Sequence, residues 1–216
     1  RSFSLTAFRS WVSAHPMTQA KNVNKKFSKE WKVNFRAESR QRFSSGVFGK
    51  ESNTRYKYVL TDFSATLSKK TGLNNAFAAG YLMRFRDGEI IYRATQQYTM
   101  TRKYRAVRIA HRFRSDQTFQ NSEAPEFRFR YRITPEIPLA GLSVDPKELY
   151  LKINNEYVNA FQGATYDLEI RLEPLLGYEF SDRNKVEGGL DYRIGSFINT
   201  SARHSFWFTV NWFISI

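Results

Sequence analysis

Tyr166-Asp-Leu-Glu-Ile-Arg-Leu-Glu-Pro-Leu-Leu-Gly-Tyr-Glu-Phe180 is the stretch on which the fold turns. Its even positions, Tyr166, Leu168, Ile170, Leu172, Pro174, Leu176, Tyr178 and Phe180, are all apolar or aromatic. Its odd positions are mostly charged: Asp167, Glu169, Arg171, Glu173 and Glu179. A period of two is the signature of a strand with one apolar and one charged face. Globular strands usually run about 5–6 residues. A run this long instead suits a tilted strand that crosses a bilayer and protrudes past it.

The pattern recurs in both directions along the chain. Trp31, Val33, Phe35 and Ala37 alternate with Lys32, Asn34, Arg36 and Glu38. Phe127, Phe129, Tyr131 and Ile133 alternate with Arg128, Arg130, Arg132 and Thr134. Leu149, Leu151 and Ile153 alternate with Tyr150, Lys152 and Asn154, and Val186 to Ile194 repeats the scheme. The chain closes on Phe206, Phe208, Val210, Trp212, Ile214 and Ile216 set against Trp207, Thr209, Asn211, Phe213 and Ser215. Weaker strands are predicted at 56–67, 75–85, 90–101 and 105–115. In the first of these the apolar set changes parity near Val59, which predicts a bulge. Helical periodicity is absent.

Connections set the topology. Ser68–Gly72, Thr101–Tyr104 and Ser181–Asn184 read as short turns, and Phe43–Thr54, Asp116–Ala124 and Phe161–Thr165 as looser loops. Short periplasmic turns and longer external loops are the asymmetry of outer-membrane barrels. The expectation is an all-β, transmembrane, up-and-down antiparallel β-barrel of ten to twelve strands, formed by residues 1–216 as one domain. Residues 1–28 fit least well. They are expected to be an irregular segment or first strand (with Phe3 to Trp11 as a candidate), in the lumen or the periplasm, because single-chain bacterial barrels normally have an even strand count.

Composition agrees. The 216 residues include 12 Tyr and 19 Phe, yet mean hydropathy is negative, as expected when every strand alternates. No apolar run approaches the ~20 residues of a membrane helix. With no Cys, a disulfide framework, a thiolate metal site and a Cys-linked lipid anchor are excluded. A start at Arg1 is expected of an exported protein freed of its leader.

The net charge of +14 would suggest nucleic acid if it lay in tails or on helices. Here it lies on the polar faces of strands, so it is expected to line the lumen. The basic cluster is Arg93, Arg108, Arg112, Arg114, Arg128, Arg130 and Arg132. The acidic partners expected to meet it across the lumen are Glu156, Asp167, Glu169, Glu173, Glu187 and Asp191. Arginine forks match carboxylates well. Three guanidiniums on one face at 128, 130 and 132 need carboxylates, or else an anion such as phosphate or a lipopolysaccharide group.

No catalytic residue, cofactor or metal site is expected, since no HExxH, CxxC or Walker-type pattern occurs. An outer-membrane lipid hydrolase would need a Ser–His–acid set. Only His204, with Ser201 and Ser205 nearby, is compatible, because His111 falls on the apolar parity. A soluble basic β-protein binding single-stranded nucleic acid is the other alternative. Against it, arginines and aromatics fall on opposite faces of 127–132, so no nucleic acid partner is expected.

The runs Arg108–Arg114, Phe127–Arg132, Tyr150–Glu156 and Asp167–Arg171 resemble an uncharacterised outer-membrane β-barrel family of Bacteroidota, catalogued as a domain of unknown function. The resemblance covers Trp31 to the C-terminus. It rests on alternation and Arg-x-Arg-x-Arg spacing, and the stretch from Ala14 to Lys29 and the terminal Ile216 depart from it. It implies a bacterial outer-membrane location and a barrel, but no established activity. The expected partners are outer-membrane lipid, lipopolysaccharide and other envelope proteins. The expected role is non-enzymatic: an accessory subunit of an envelope complex, or a narrow channel with an Arg-lined lumen.

Overall fold

The computed structural model describes residues 16–42, 57–121, 123–196, 198 and 202–216. Eleven strands follow one another: β1 (Pro16–Lys26), β2 (Trp31–Arg42), β3 (Lys57–Lys70), β4 (Asn75–Arg86), β5 (Glu89–Tyr104), β6 (Val107–Phe119), β7 (Glu126–Pro138), β8 (Leu149–Gln162), β9 (Thr165–Ser181), β10 (Asn184–Gly195) and β11 (Arg203–Ser215). Each pairs with its sequence neighbour in antiparallel fashion, and the sheet closes on itself.

The closure is parallel. β1 lies beside β11 from Met17 opposite Phe208 to Asn24 opposite Ser215. Strands linked by hairpins alternate in direction, so an odd count brings the first and last into the same direction and leaves one parallel seam. Eleven lies within the expected ten to twelve strands, although it departs from the even count usual for single-chain bacterial barrels. Of the readings open for the N-terminal segment, Pro16–Lys26 takes that of a first strand, in the wall. Phe3 to Trp11 lies outside the described residues. Pro16 and Ile216 end up at opposite rims.

The hairpins refine the expected loops. Asp87 (φ 51°) and Gly88 (φ 83°) form a two-residue turn with both residues left-handed, and Gly163 (φ 57°) leads a second tight turn at 163–164. Both geometries match the right-handed twist of the flanking strands. The connection at Phe161–Thr165, expected to be loose, is thus tight. Thr101–Tyr104 and Asp116 belong to β5 and β6, not to turns. Residues 139–148 form the one extended connection at the C-terminal rim. It is held by Lys147 N–H donating to the Glu179 carbonyl at 2.6 Å and Glu179 N–H to that of Glu148 at 3.1 Å. The parity change near Val59 is a bulge: Arg40 pairs with Leu60 and Gln41 with Tyr58, skipping Val59.

The two faces sort as the alternation predicts. Outward stand Phe35, Phe63, Phe77, Phe113, Phe129, Leu176, Phe208 and Trp212, all about half exposed. They form an apolar and aromatic band around the barrel. Inward, the most buried side chains include Asp116, Glu156, Glu187 and Tyr150. The interior is therefore polar and ionic, the reverse of a globular core.

Candidate functional site

Inside the barrel, alternate residues of adjacent strands stack into rows of charge. Arg112 sits opposite Arg132 and Arg114 opposite Arg130 on β6 and β7, and Arg132 opposite Glu156 on β7 and β8. Glu156, 1% exposed, is the hub. Its Oε1 accepts from Arg112 Nη2 at 2.8 Å and Arg132 Nε at 3.0 Å, and its Oε2 accepts from Arg130 Nη2 at 2.5 Å. Arg171 Nη1 of β9 stands 3.6 Å away. Arg130 also spans to Asp116 Oδ2 at 3.0 Å, and Arg114 Nε donates to Asp116 Oδ1 at 2.5 Å. Two buried carboxylates, on β6 and β8, thus organise five guanidiniums on three strands, β6, β7 and β9. Removing either would strand buried charge, which is the costly way to break such a network.

Smaller clusters complete the wall. Glu38 accepts from Arg36 and from Arg40 Nε on its own strand, the latter at 2.7 Å. Arg84 forks onto Asp62 with bonds of 2.8 and 2.6 Å. Arg193 pairs with Asp191, Arg171 with Glu169, and Arg128 with Glu126. Glu187 takes both Lys152 Nζ and the Tyr150 hydroxyl at 2.9 Å. These pairs run along a strand or between close strands. The sectors were expected to meet across the lumen, but they are satisfied along its wall, because a two-residue step on one face brings Arg and carboxylate together.

Of the expected acidic partners, Glu156, Glu169, Glu187 and Asp191 hold cations. Glu173 instead accepts from Asn154 Nδ2 at 2.8 Å. Asp167 accepts from the backbone N–H of Leu168 at 2.9 Å. Of the expected basic cluster, Arg112, Arg114, Arg128, Arg130 and Arg132 are paired in the lumen. Arg108 pairs with Glu136 at the C-terminal rim. Arg93 has no carboxylate partner among the described residues: its Nε donates to Thr118 Oγ1 at 2.8 Å.

The interior is not filled. A cavity of about 740 Å³ at the C-terminal rim, one of about 390 Å³ at mid-barrel and one of about 190 Å³ at the opposite rim follow one another along the axis. The first two share Arg36, Arg112, Arg114 and Lys152 as walls, and the last two share Arg84, Arg93 and Arg128.

The model of the family described as "Protein of unknown function (DUF2490)" matches residues 8–206. The chain belongs to the DUF2490 family. No curated protein and no solved structure matches it. The family match begins well before Trp31, where the recurring alternation starts, so it takes in β1.

In this DUF2490 barrel, sequence reasoning missed Asp116, Asp62 and Glu126 as partners. Asp116 was hidden because Gln117, Thr118 and Gln120 around it read as a polar loop. The others carried a signal: each stands two residues from an arginine, or opposite one on the next strand. Among the described residues the histidines build no triad, and Ser201 lies outside those residues. His204 faces outward with Nδ1 2.7 Å from the Tyr192 hydroxyl, whereas Ser205, its neighbour in the strand, faces the opposite side. His111 is outward too, 2.8 Å from the Tyr131 hydroxyl. Among the described residues no cluster of His, Asp and Glu is arranged to hold a metal.

Proposed function

We propose that this DUF2490 barrel spans the outer membrane of a Gram-negative bacterium, with Bacteroidota as the expected source, and passes small anions through a narrow basic lumen. The outward band supports insertion. Half-exposed aromatics around most of the wall would be an aggregation hazard in water, but they suit a hydrocarbon boundary with aromatic girdles. The observation that carries the anion reading is the row of three cavities sharing arginine walls. An arginine-lined aqueous path attracts anions and repels cations. The charged wall needs no catalytic step, and the outward His204 and inward Ser205 accord with a non-enzymatic role.

Purified protein in planar bilayers under a potassium chloride gradient tests this. The expected reversal potential is displaced toward chloride. Absence of current from correctly folded protein would overturn the passage.

A second reading has its own observation. On the outward face of β5 and β6, Gln96 and Gln117 exchange side-chain hydrogen bonds of 3.1 and 3.0 Å, and Gln117 also donates to Ser115 at 2.7 Å. Asn159 lies in the same shallow groove. Polar groups facing lipid are costly, so this seam supports an accessory subunit docked on an envelope partner. Co-purification of such a partner, lost when Asn159 and Gln96 become leucine, is its test.

A further inference from the structure

Arg93 stands apart from the other lumenal arginines. It is 5% exposed, and among the described residues its one hydrogen-bond acceptor is Thr118 Oγ1, reached from Nε. The charged groups acting on it most strongly are Arg128, Arg84, Asp116 and Arg130, three cations against one carboxylate. That carboxylate is already taken by Arg114 and Arg130. A buried guanidinium without a counter-charge is expensive unless something else supplies the charge.

The space to supply it is adjacent. Arg93 lines both the mid-barrel cavity and the ~190 Å³ cavity toward the rim. At that rim cavity's wall, Arg84 is neutralised by Asp62 and Arg128 by Glu126. Glu123 is engaged by Gln162 Nε2 at 2.9 Å. Arg86 reaches only the exposed Asp87, at 4.0 Å. Two guanidiniums without a close carboxylate among the described residues, one buried and one at the mouth, therefore line one polar chamber together with Thr118 and Gln120.

We propose that this chamber is a binding site for a small tetrahedral oxyanion: phosphate, sulfate or the phosphoryl group of a soluble monoester. Arg93 is the buried anchor and Arg86 the outer clamp. Planar forks of N–H donors suit tetrahedral oxyanions. The Thr118 bond holds the Arg93 side chain at the chamber wall. The proposal rests on the anion-passing reading for its route of entry, but binding can be read without any current.

The test is calorimetric titration of inorganic phosphate into the full-length barrel in phosphate-free detergent micelles, with chloride holding ionic strength constant. Saturable binding of one phosphate per barrel is expected. Arg93→Gln should weaken it at least tenfold, Arg93→Lys and Arg86→Gln several-fold, while each variant keeps the heat-modifiable gel migration of a folded barrel. If Arg93→Gln does not fold, the Arg93→Lys and Arg86→Gln losses decide the matter. No binding by the parent protein, or equal binding by the folded variants, overturns the site. Binding of a short-chain phospholipid but not of inorganic phosphate overturns a soluble occupant in favour of a lipid headgroup. A barrel that binds phosphate but carries no current retains the site and loses the passage. One that conducts but binds no phosphate does the opposite.

Discussion

The ring of Tyr150 lies flat against Gly177 on the adjacent strand, so close that a Cβ on residue 177 would stand 2.1 Å from Tyr150 Cζ. The missing side chain lets a fully buried tyrosine lie along the inner wall and place its hydroxyl 2.9 Å from Glu187. An aromatic covering a strand glycine fills the gap the glycine leaves.

Gly177→Ala should therefore destabilise the barrel by about 1–3 kcal/mol, the usual cost of overpacking. Tyr150→Phe should cost less, because it keeps the ring and loses one hydrogen bond. Urea unfolding midpoints in micelles check both, and a Gly177→Ala variant as stable as the parent would remove the steric argument.

Glu156 neutralises an arginine group spread over β6, β7 and β9. Glu156→Gln removes the charge and keeps the shape, so Arg112 and Arg132 lose their carboxylate. A loss of about 3–5 kcal/mol is expected, as for breaking a buried ion pair by removing one partner. In bilayers the same variant should shift the reversal potential further toward chloride. An unchanged selectivity would show that the hub does not face the conduction path.

The parallel seam makes a covalent prediction. Thr18 and Thr209 are direct partners on β1 and β11, and neighbouring strands lie about 4.8 Å apart, within disulfide range. Because the chain has no cysteine, Thr18→Cys with Thr209→Cys should oxidise to a single intramolecular bridge, seen as a gel shift reversed by reductant. Thr18→Cys with Phe213→Cys, four residues out of register, should not.

The outward Gln96–Gln117 pair predicts non-additivity. Gln96→Leu alone strands a donor and acceptor of Gln117 and should cost about 1 kcal/mol. Replacing both with leucine should recover that loss or better it, since apolar pairs suit the boundary. Unfolding midpoints of the two single variants and the double close the cycle. Purely additive effects would mean that the pair is not formed.

How far the sequence speaks depends on whether one face of a strand is apolar. β2 and β7 to β11 were legible because every second side chain faces the outer band, and so was the bulge at Val59, where the apolar set skips a step. β1 was not, because both its faces are polar. Gln19, Lys21 and Lys25 point outward while Thr18 and Asn22 point inward, and Lys21 lies over the Trp212 ring at 5.4 Å. With β1 unread, the odd count and the parallel seam could not be reached. In the lumen, residue type gave the arginine rows and four of their carboxylates, Glu156, Glu169, Glu187 and Asp191, but not which cation each one meets. Pairing depends on strand register, which alternation leaves open, and so Asp116 and Asp62 emerged only with the fold.

The central claim is that alternate residues face lipid and an aqueous lumen around a membrane-spanning barrel. Spin labels on single cysteines placed in turn from Phe127 to Thr134, in barrels reconstituted into liposomes, test it most directly by collision with oxygen and with a water-soluble nickel chelate. The account predicts oxygen accessibility peaking at 127, 129, 131 and 133, with nickel accessibility peaking at 128, 130, 132 and 134. Uniform access of the nickel chelate to both sets would contradict it.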